Sequence, residues 1–420
     1  MKILIYEDSK WINLTPLSYI KPIFELRCGF SSLLEKIVSV LPEGEIILWV
    51  RDYLKGLTIK KYNHKVNDEE FLNDDVLIIN GRWLIERELS FNLNEEKLYL
   101  SKGDIVYGVI KKENLRKYWN GNIDEFLKNI SGNLKSEETD FILINYPWDL
   151  IHYNSKIIKF EFQKSNKKGI LGKFSEKATI YGSENDVYVA KSAEIYPFVV
   201  LDTSEGPVYI DEGVKIFPFS VIIGPCYIGE KTQIMSGAKI REGNSIGPVC
   251  RIGGEVEESI FHSYSNKYHD GFIGHSYIGE FVNLGALTTN SDLKNDYSNV
   301  SVYLNGKLTE TGQLKVGSFI GDHTKTSIGT LFNTGTVVGI MCNITANNIL
   351  PKYFPSFVWF VNGKFMKGYG IDYSLQTAKI SMERRNRILL KEEEDAIRKV
   401  YELTESERKS YIEKSRKIAR

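Results

Sequence analysis

The sequence predicts three parts in series: an α/β domain, a parallel β-helix of hexapeptide repeats, and a helical extension. Three observations predict this. Every sixth residue from 210 to 252 is isoleucine. Before about residue 160, short apolar runs alternate with helical stretches, and beyond 373 the chain is dense in Glu, Lys and Arg.

The repeat is the most specific signal. Ile210, Ile216, Ile222, Ile228, Ile234, Ile240, Ile246 and Ile252 stand in register, which composition does not produce by chance. A companion position four residues on reads Val214, Ser220, Cys226, Thr232, Ala238, Asn244, Cys250 and Val256, mostly small. Each companion lies two residues from the next isoleucine, so a short strand points both inward. Gly229, Gly247 and Gly253 follow an isoleucine, where a tight corner needs freedom or leaves no room for a side chain. The pattern begins at Val189, Ile195 and Leu201 and shifts phase after 203–207. It is interrupted around 262–270 and again over 291–315, and is expected to resume at Val316, Asp322, Ile328, Thr334 and Ile340. Loops ejected from a regular scaffold are where function concentrates.

The α/β reading rests on apolar runs at 2–6, 45–50, 76–79, 105–109 and 141–144, alternating with helical stretches at 29–40 and 115–130. That order suggests a largely parallel sheet. A basic stretch at 164–168 reads as a linker. The expected domains are 1–165, 175–350 and 351–420. The last is helical from 373 to 419, packs on the end of the solenoid, and covers its exposed edge.

Lys+Arg and Asp+Glu each number 54, so the net charge is zero. This argues against a nucleic-acid polymer, which needs a basic face, and leaves room for a small anion held by a few local cations. No apolar run reaches the roughly 20 residues of a membrane span, and the start turns acidic at Glu7 and Asp8, too early for a signal peptide. Cys28, Cys226, Cys250 and Cys342 are far apart and form no CxxC pair, as expected of buried thiols in a reducing cytoplasm.

Three segments carry a family resemblance: "PLSYIKPIFELRCGFSSLLEK", "IGGEVEESIFHSYSNKYHDGFIGHSYIGEFVNLGA" and "GDHTKTSIGTLFNTGTVVG". With the two-part architecture, they resemble the bifunctional enzymes of UDP-N-acetylglucosamine synthesis, which join a sugar-1-phosphate uridyltransferase to a glucosamine-1-phosphate acetyltransferase. The closer likeness is to an alternative branch of hexapeptide-repeat sugar nucleotidyltransferases. The resemblance implies a nucleotidyltransferase-like first domain and a left-handed β-helix of acyltransferase type. It also implies a homotrimer with acyl sites between subunits. The substrates would be a sugar phosphate, a nucleoside triphosphate and acyl-CoA, with acetyl-CoA as donor. Magnesium would serve an active nucleotidyltransferase.

Acyl transfer to an amine needs a base for the amine proton and donors for the oxyanion. Of six histidines, His262, His269 and His275 fall in the interrupted region. His269-Asp270-Gly271-Phe272-Ile273-Gly274, followed by Val282-Asn283-Leu284-Gly285-Ala286, matches the spacing of the family's catalytic histidine and its following coil. By that resemblance His269 is the general base and Asn283 contacts the amino sugar. Gly285 and Ala286 meet acyl-CoA, and Arg241 holds the sugar phosphate. The family's second phosphate lysine falls where this chain has Glu257, Glu258 and Ser259, so Lys267 or a neighbouring subunit would have to compensate. Phe272 replaces a family tyrosine.

The first domain departs further. No G-x-G-T-R loop follows the first strand. Lys21 and Arg27 are the cations left for nucleotide phosphates, and Arg82 stands where the metal aspartate is expected. Asp149 with Asn154, or Asp8, would then hold magnesium. Three other readings are a nucleotidyltransferase alone, a non-catalytic scaffold, and a zinc lyase using the three histidines. The lyase family spaces a ligand pair five residues apart, whereas these are seven and six.

Overall fold

The computed structural model describes residues 1–346 and 350–418. The first domain is a seven-stranded sheet in the order Ser136–Glu138, Lys97–Ser101, Asp104–Ile110, Val76–Asn80, Lys2–Tyr6, Glu45–Trp49, Lys65–Val66. Lys2–Tyr6 runs parallel to both neighbours, while Asp104–Ile110 is antiparallel to both of its own. Ile3, Leu4 and Ile5 have no exposed surface, since this central strand is covered on both faces.

Two helices differ from expectation. The stretch at 29–40 opens with a turn of paired strands, and only Leu33–Val38 is helical, capped by Ser32 and Glu35. The stretch at 115–130 is two helices, Lys112–Tyr118 and Ile123–Asn133, broken at Gly121 with φ +88°. The presumed linker begins inside a further helix, Pro147–Ser165, which ends at Asn166 in the left-handed region.

The solenoid is a left-handed β-helix with three parallel sheets of ten, six and six strands. Val208 pairs with Cys226 and Ile216 with Ile234, so one turn takes 18 residues. All eight isoleucines and all eight companions are fully buried. Past Ile252 the turns shorten: Ile252 pairs with Lys267 after 15 residues, and Glu255 with Phe272 after 17. The shortening carries the phase with it, and the expected register from 316 onward is wrong by two. Ile320, Phe332, Val338 and Ile344 face inward, whereas Ile328 is 71% exposed.

The 291–315 insertion holds an antiparallel pair, Ser301–Leu304 and Lys307–Glu310. Val300, Val302 and Leu304 are buried in one apolar cluster with Leu14 and Trp83 of the first domain and Tyr277 and Phe319 of the solenoid. The C-terminal part forms three helices, Ile371–Glu383, Lys391–Leu403 and Glu405–Ile418; residues 419 and 420 of the expected helical extension lie outside the described residues. The last of these helices covers the solenoid's end, where Ser415 accepts from the Phe365 amide. Lys391–Leu403 turns back to pack beside Asp52–Lys61 of the first domain.

Candidate functional site

His269 sits at a solenoid corner between the strands Asn266–Lys267 and Phe272–Gly274. Tyr268, His269 and Asp270 are exposed, and the imidazole has no hydrogen-bond partner among the described residues. The next corner lies directly against it, because Leu284 donates to the Asn266 carbonyl at 2.9 Å and Leu287 to that of Asp270 at 2.8 Å. The 17-residue turn therefore stacks His269 on Ala286 and Asn266 on Asn283. Asn283 is exposed, with its Oδ1 3.3 Å from Asn266 Nδ2. Gly285 is required by stacking, since a Cβ there would lie 2.4 Å from the Ser327 carbonyl. His269, Asn283, Gly285 and Ala286 thus share one open edge.

Lys267 does not point to that edge. It occupies an inward isoleucine position, is 1% exposed, and donates to the carbonyls of Gly253 at 2.7 Å and His269 at 3.1 Å. Burial pushes its pKa down to about 8, against the raising influence of Asp270 and Glu255. Its ammonium braces the backbone under His269 from inside the solenoid, where no surface ligand reaches it. Arg241 is 40% exposed, but its guanidinium is held by Glu257 at 2.7 Å and Glu242 at 3.2 Å. Lys315 reaches Glu257 from the insertion at 3.1 Å.

The other two histidines diverge from His269. His262 is within hydrogen-bond distance of the Glu25 carbonyl at 3.0 Å and lies at the domain boundary. His275 follows the strand Phe272–Gly274, and its Nδ1 lies 2.8 Å from Asp292 Oδ2. The three rings share no ligand geometry, and the described residues hold no cluster of three metal-ligating side chains. His275 and Glu258 line a cavity of about 730 Å³ between the solenoid and the helix Pro147–Ser165, with Trp148 on the helix side. Sequence reasoning missed this pairing: His275 and Asp292 are 17 residues apart and meet only because one turn has that length.

The nucleotide-site residues are otherwise engaged. Lys21 is 1% exposed and bonds Asp322 of the solenoid at 2.5 Å. Arg27 is partly buried at the same boundary, its amide donating to the Tyr277 hydroxyl at 2.9 Å. Asp149 Oδ2 accepts from the Asn145 and Tyr146 amides and caps its helix. Asn154 is fully buried, accepts from Gly29 and Ser245, and donates to the Gly243 carbonyl at 2.8 Å. Both side chains do structural work, and they do not make a magnesium site.

At the carboxyl ends of Lys2–Tyr6 and Val76–Asn80, Arg82 has no exposed surface and bonds Asp8 at 2.7 Å and Asp104 at 3.2 Å. Lys10 takes Asp104 at 2.5 Å. A guanidinium fills the place of a metal and uses up the carboxylates that would bind one. These residues do not fit magnesium. Beside them, Lys10, Lys102, Asn145 and Tyr146 line a cavity of about 450 Å³.

Residues 3–169 match the sugar nucleotidyl transferase family model. The solenoid and the first domain together resemble bifunctional sugar-1-phosphate nucleotidyltransferase/acetyltransferases. A bifunctional sugar-1-phosphate nucleotidylyltransferase/acetyltransferase of Sulfurisphaera tokodaii is 37% identical over 21% of this chain and 22% of its own. The bifunctional protein GlmU of Methanococcus aeolicus is 32% identical over 51% of this chain and 46% of its own. GlmU of Methanococcus maripaludis is 28% identical over 75% of this chain and 81% of its own. The chain spans less than half the length of the first two.

Proposed function

We propose that this chain modifies sugar phosphates in nucleotide-sugar synthesis, transferring an acyl group from acyl-CoA to an amino sugar phosphate at the His269 edge. The observation that carries the reading is an imidazole without a hydrogen-bond partner among the described residues, stacked on Ala286 beside Asn283. As the amine nitrogen attacks the thioester carbon, His269 accepts the amine proton. The oxyanion that develops needs hydrogen-bond donors at the same edge. Collapse expels the CoA thiolate, which takes the proton back from the imidazolium. Lys267 fixes the backbone on which His269 is mounted.

By the family resemblance, the chain assembles as a homotrimer, with the site completed by a neighbour. The first domain is assigned the nucleotide or sugar-phosphate end. Its cavity by Lys10 and Lys102 lies where open α/β sheets take ligands, outside the carboxyl ends of the strands. Such substrates are cytoplasmic, and no described helix is long and apolar enough to cross a membrane.

The test is thiol release from acetyl-CoA across a panel of amino-sugar phosphates and nucleotide-linked amino sugars. Release that needs one acceptor and falls at least a hundredfold in His269→Ala supports the reading. Unchanged release in that variant overturns it. Pyrophosphate release from nucleoside triphosphates, with and without magnesium, reads the first domain separately, and light scattering reads the trimer.

A further inference from the structure

The cavity between the solenoid and the helix Pro147–Ser165 has its own chemistry, separate from the His269 edge. His269 precedes the strand Phe272–Gly274 and His275 follows it, so the two rings stand at different corners of the solenoid. The charges around the cavity are unevenly paired. Glu257 is taken by Arg241 and Lys315, and Asp292 by His275. Glu258 has no lysine or arginine within ion-pair distance among the described residues, and only the Ser155 hydroxyl reaches it, at 3.2 Å and 3.3 Å. Its place is built: Gly243, at φ +76°, leaves room that a Cβ would fill at 2.3 Å from the carboxylate.

Opposite stands an oriented histidine. With Nδ1 directed at Asp292, the Nε2 of His275 has no partner among the described residues, and its ring lines the same space. Trp148, Ile151, Tyr297 and Leu314 supply apolar and aromatic walls. One unpaired carboxylate, the free His275 nitrogen, the His152 ring and a flat apolar wall match a ring bearing an ammonium, hydroxyls and an apolar C–H face.

We propose that this cavity is a second binding site, taking a hydroxylated ammonium compound such as a free amino sugar. Glu258 pairs with the ammonium, His275 Nε2 bonds a hydroxyl, and the ring lies against the Trp148 and Leu314 walls. Burial holds Glu258 above the usual carboxylate range, against the lowering influence of His275. An arriving cation draws it into its charged form. Because one wall is the first domain and the other the solenoid, the occupant bridges the two. The proposal does not depend on acyl transfer.

The test is calorimetric titration of the full chain with glucosamine, N-acetylglucosamine and glucose, without acyl-CoA. Glucosamine binds, and the two uncharged sugars bind at least tenfold more weakly. Glu258→Gln and His275→Gln each weaken glucosamine at least tenfold. Leu314→Trp fills the cavity from an exposed position and abolishes binding without touching the charged groups. No binding of glucosamine, equal affinity for all three sugars, or indifference to Leu314→Trp would each overturn the assignment. Thiol release by His269→Ala is a separate readout, so either reading can fail alone.

Discussion

Lys21 Nζ and Asp322 Oδ2 meet 2.5 Å apart across the domain boundary, with side chains 2% and 0% exposed. Burial alone would lower the Lys21 pKa, but Asp322 and Glu280 outweigh it and hold the amine above its usual value. A pair this deep contributes mainly when neither half is left alone. Lys21→Met strands Asp322 and is expected to cost about 3–5 kcal/mol. Adding Asp322→Asn recovers part of it. Urea denaturation of both single variants and the double variant checks this; losses that simply add would show that the pair is not coupled.

His323 gives the protein an acid-sensitive limb. It is 4% exposed, stacks on Phe281 at 5.1 Å, and is pushed down to about 3, by burial first and Lys325 second. The unfolded chain, with a histidine pKa of about 6.5, takes the proton first as pH falls. Stability is therefore full above about 6.5 and declines toward 3, by up to about 5 kcal/mol from this group. His323→Phe keeps the stack and removes the titration. Its melting temperature should fall less than the wild type's between pH 6.5 and 4.

Lys267 works in the opposite pH range. Its folded pKa of about 8 lies below the usual lysine value, so the unfolded chain holds the proton longer as pH rises. Wild-type stability relative to Lys267→Met should increase between pH 8 and 10.5, by about 3 kcal/mol in all. Denaturant titration at pH 7, 9 and 10.5 measures the slope. A flat difference would mean that the ammonium is not desolvated.

Arg82→Ala tests the self-filled site of the first domain. Removing the guanidinium leaves Asp8 and Asp104 facing each other without it and should cost about 3–5 kcal/mol. Asp8 is then freed, and with Asp104, which keeps Lys10 at 2.5 Å, it can hold a hard cation. Millimolar magnesium should raise the melting temperature of Arg82→Ala and leave that of the wild type unchanged. A magnesium response in the wild type would contradict the arrangement.

The repeat was legible because an inward position tolerates little but an apolar side chain, and eight isoleucines mark it. The phase beyond 252 was not, because turns of 15 and 17 residues slip the register and put Lys267 inside. His269, Asn283, Gly285 and Ala286 could be grouped only through the family motif they resemble, and a 17-residue turn stacks Asn266 on Asn283 at that edge. Lys21 could not be read as buried, because its partner lies 301 residues away. Asp149 and Asn154 resembled ligands in sequence, yet one is a helix cap and the other a bridge between domains. A polar side chain's role depends on which amides come within reach, and that is a property of the folded chain.

The buried hairpin in the 291–315 insertion bears on how such proteins can be recombined. Val300, Val302 and Leu304 leave the solenoid in sequence and enter the first domain's core in space. The gene segment for the solenoid therefore carries a piece of the front module. A chimera joined at 166–168 would expose this apolar strand on one side and an empty groove on the other. Swapping front ends between relatives would preserve the fold only if residues 291–315 travelled with the module they complete.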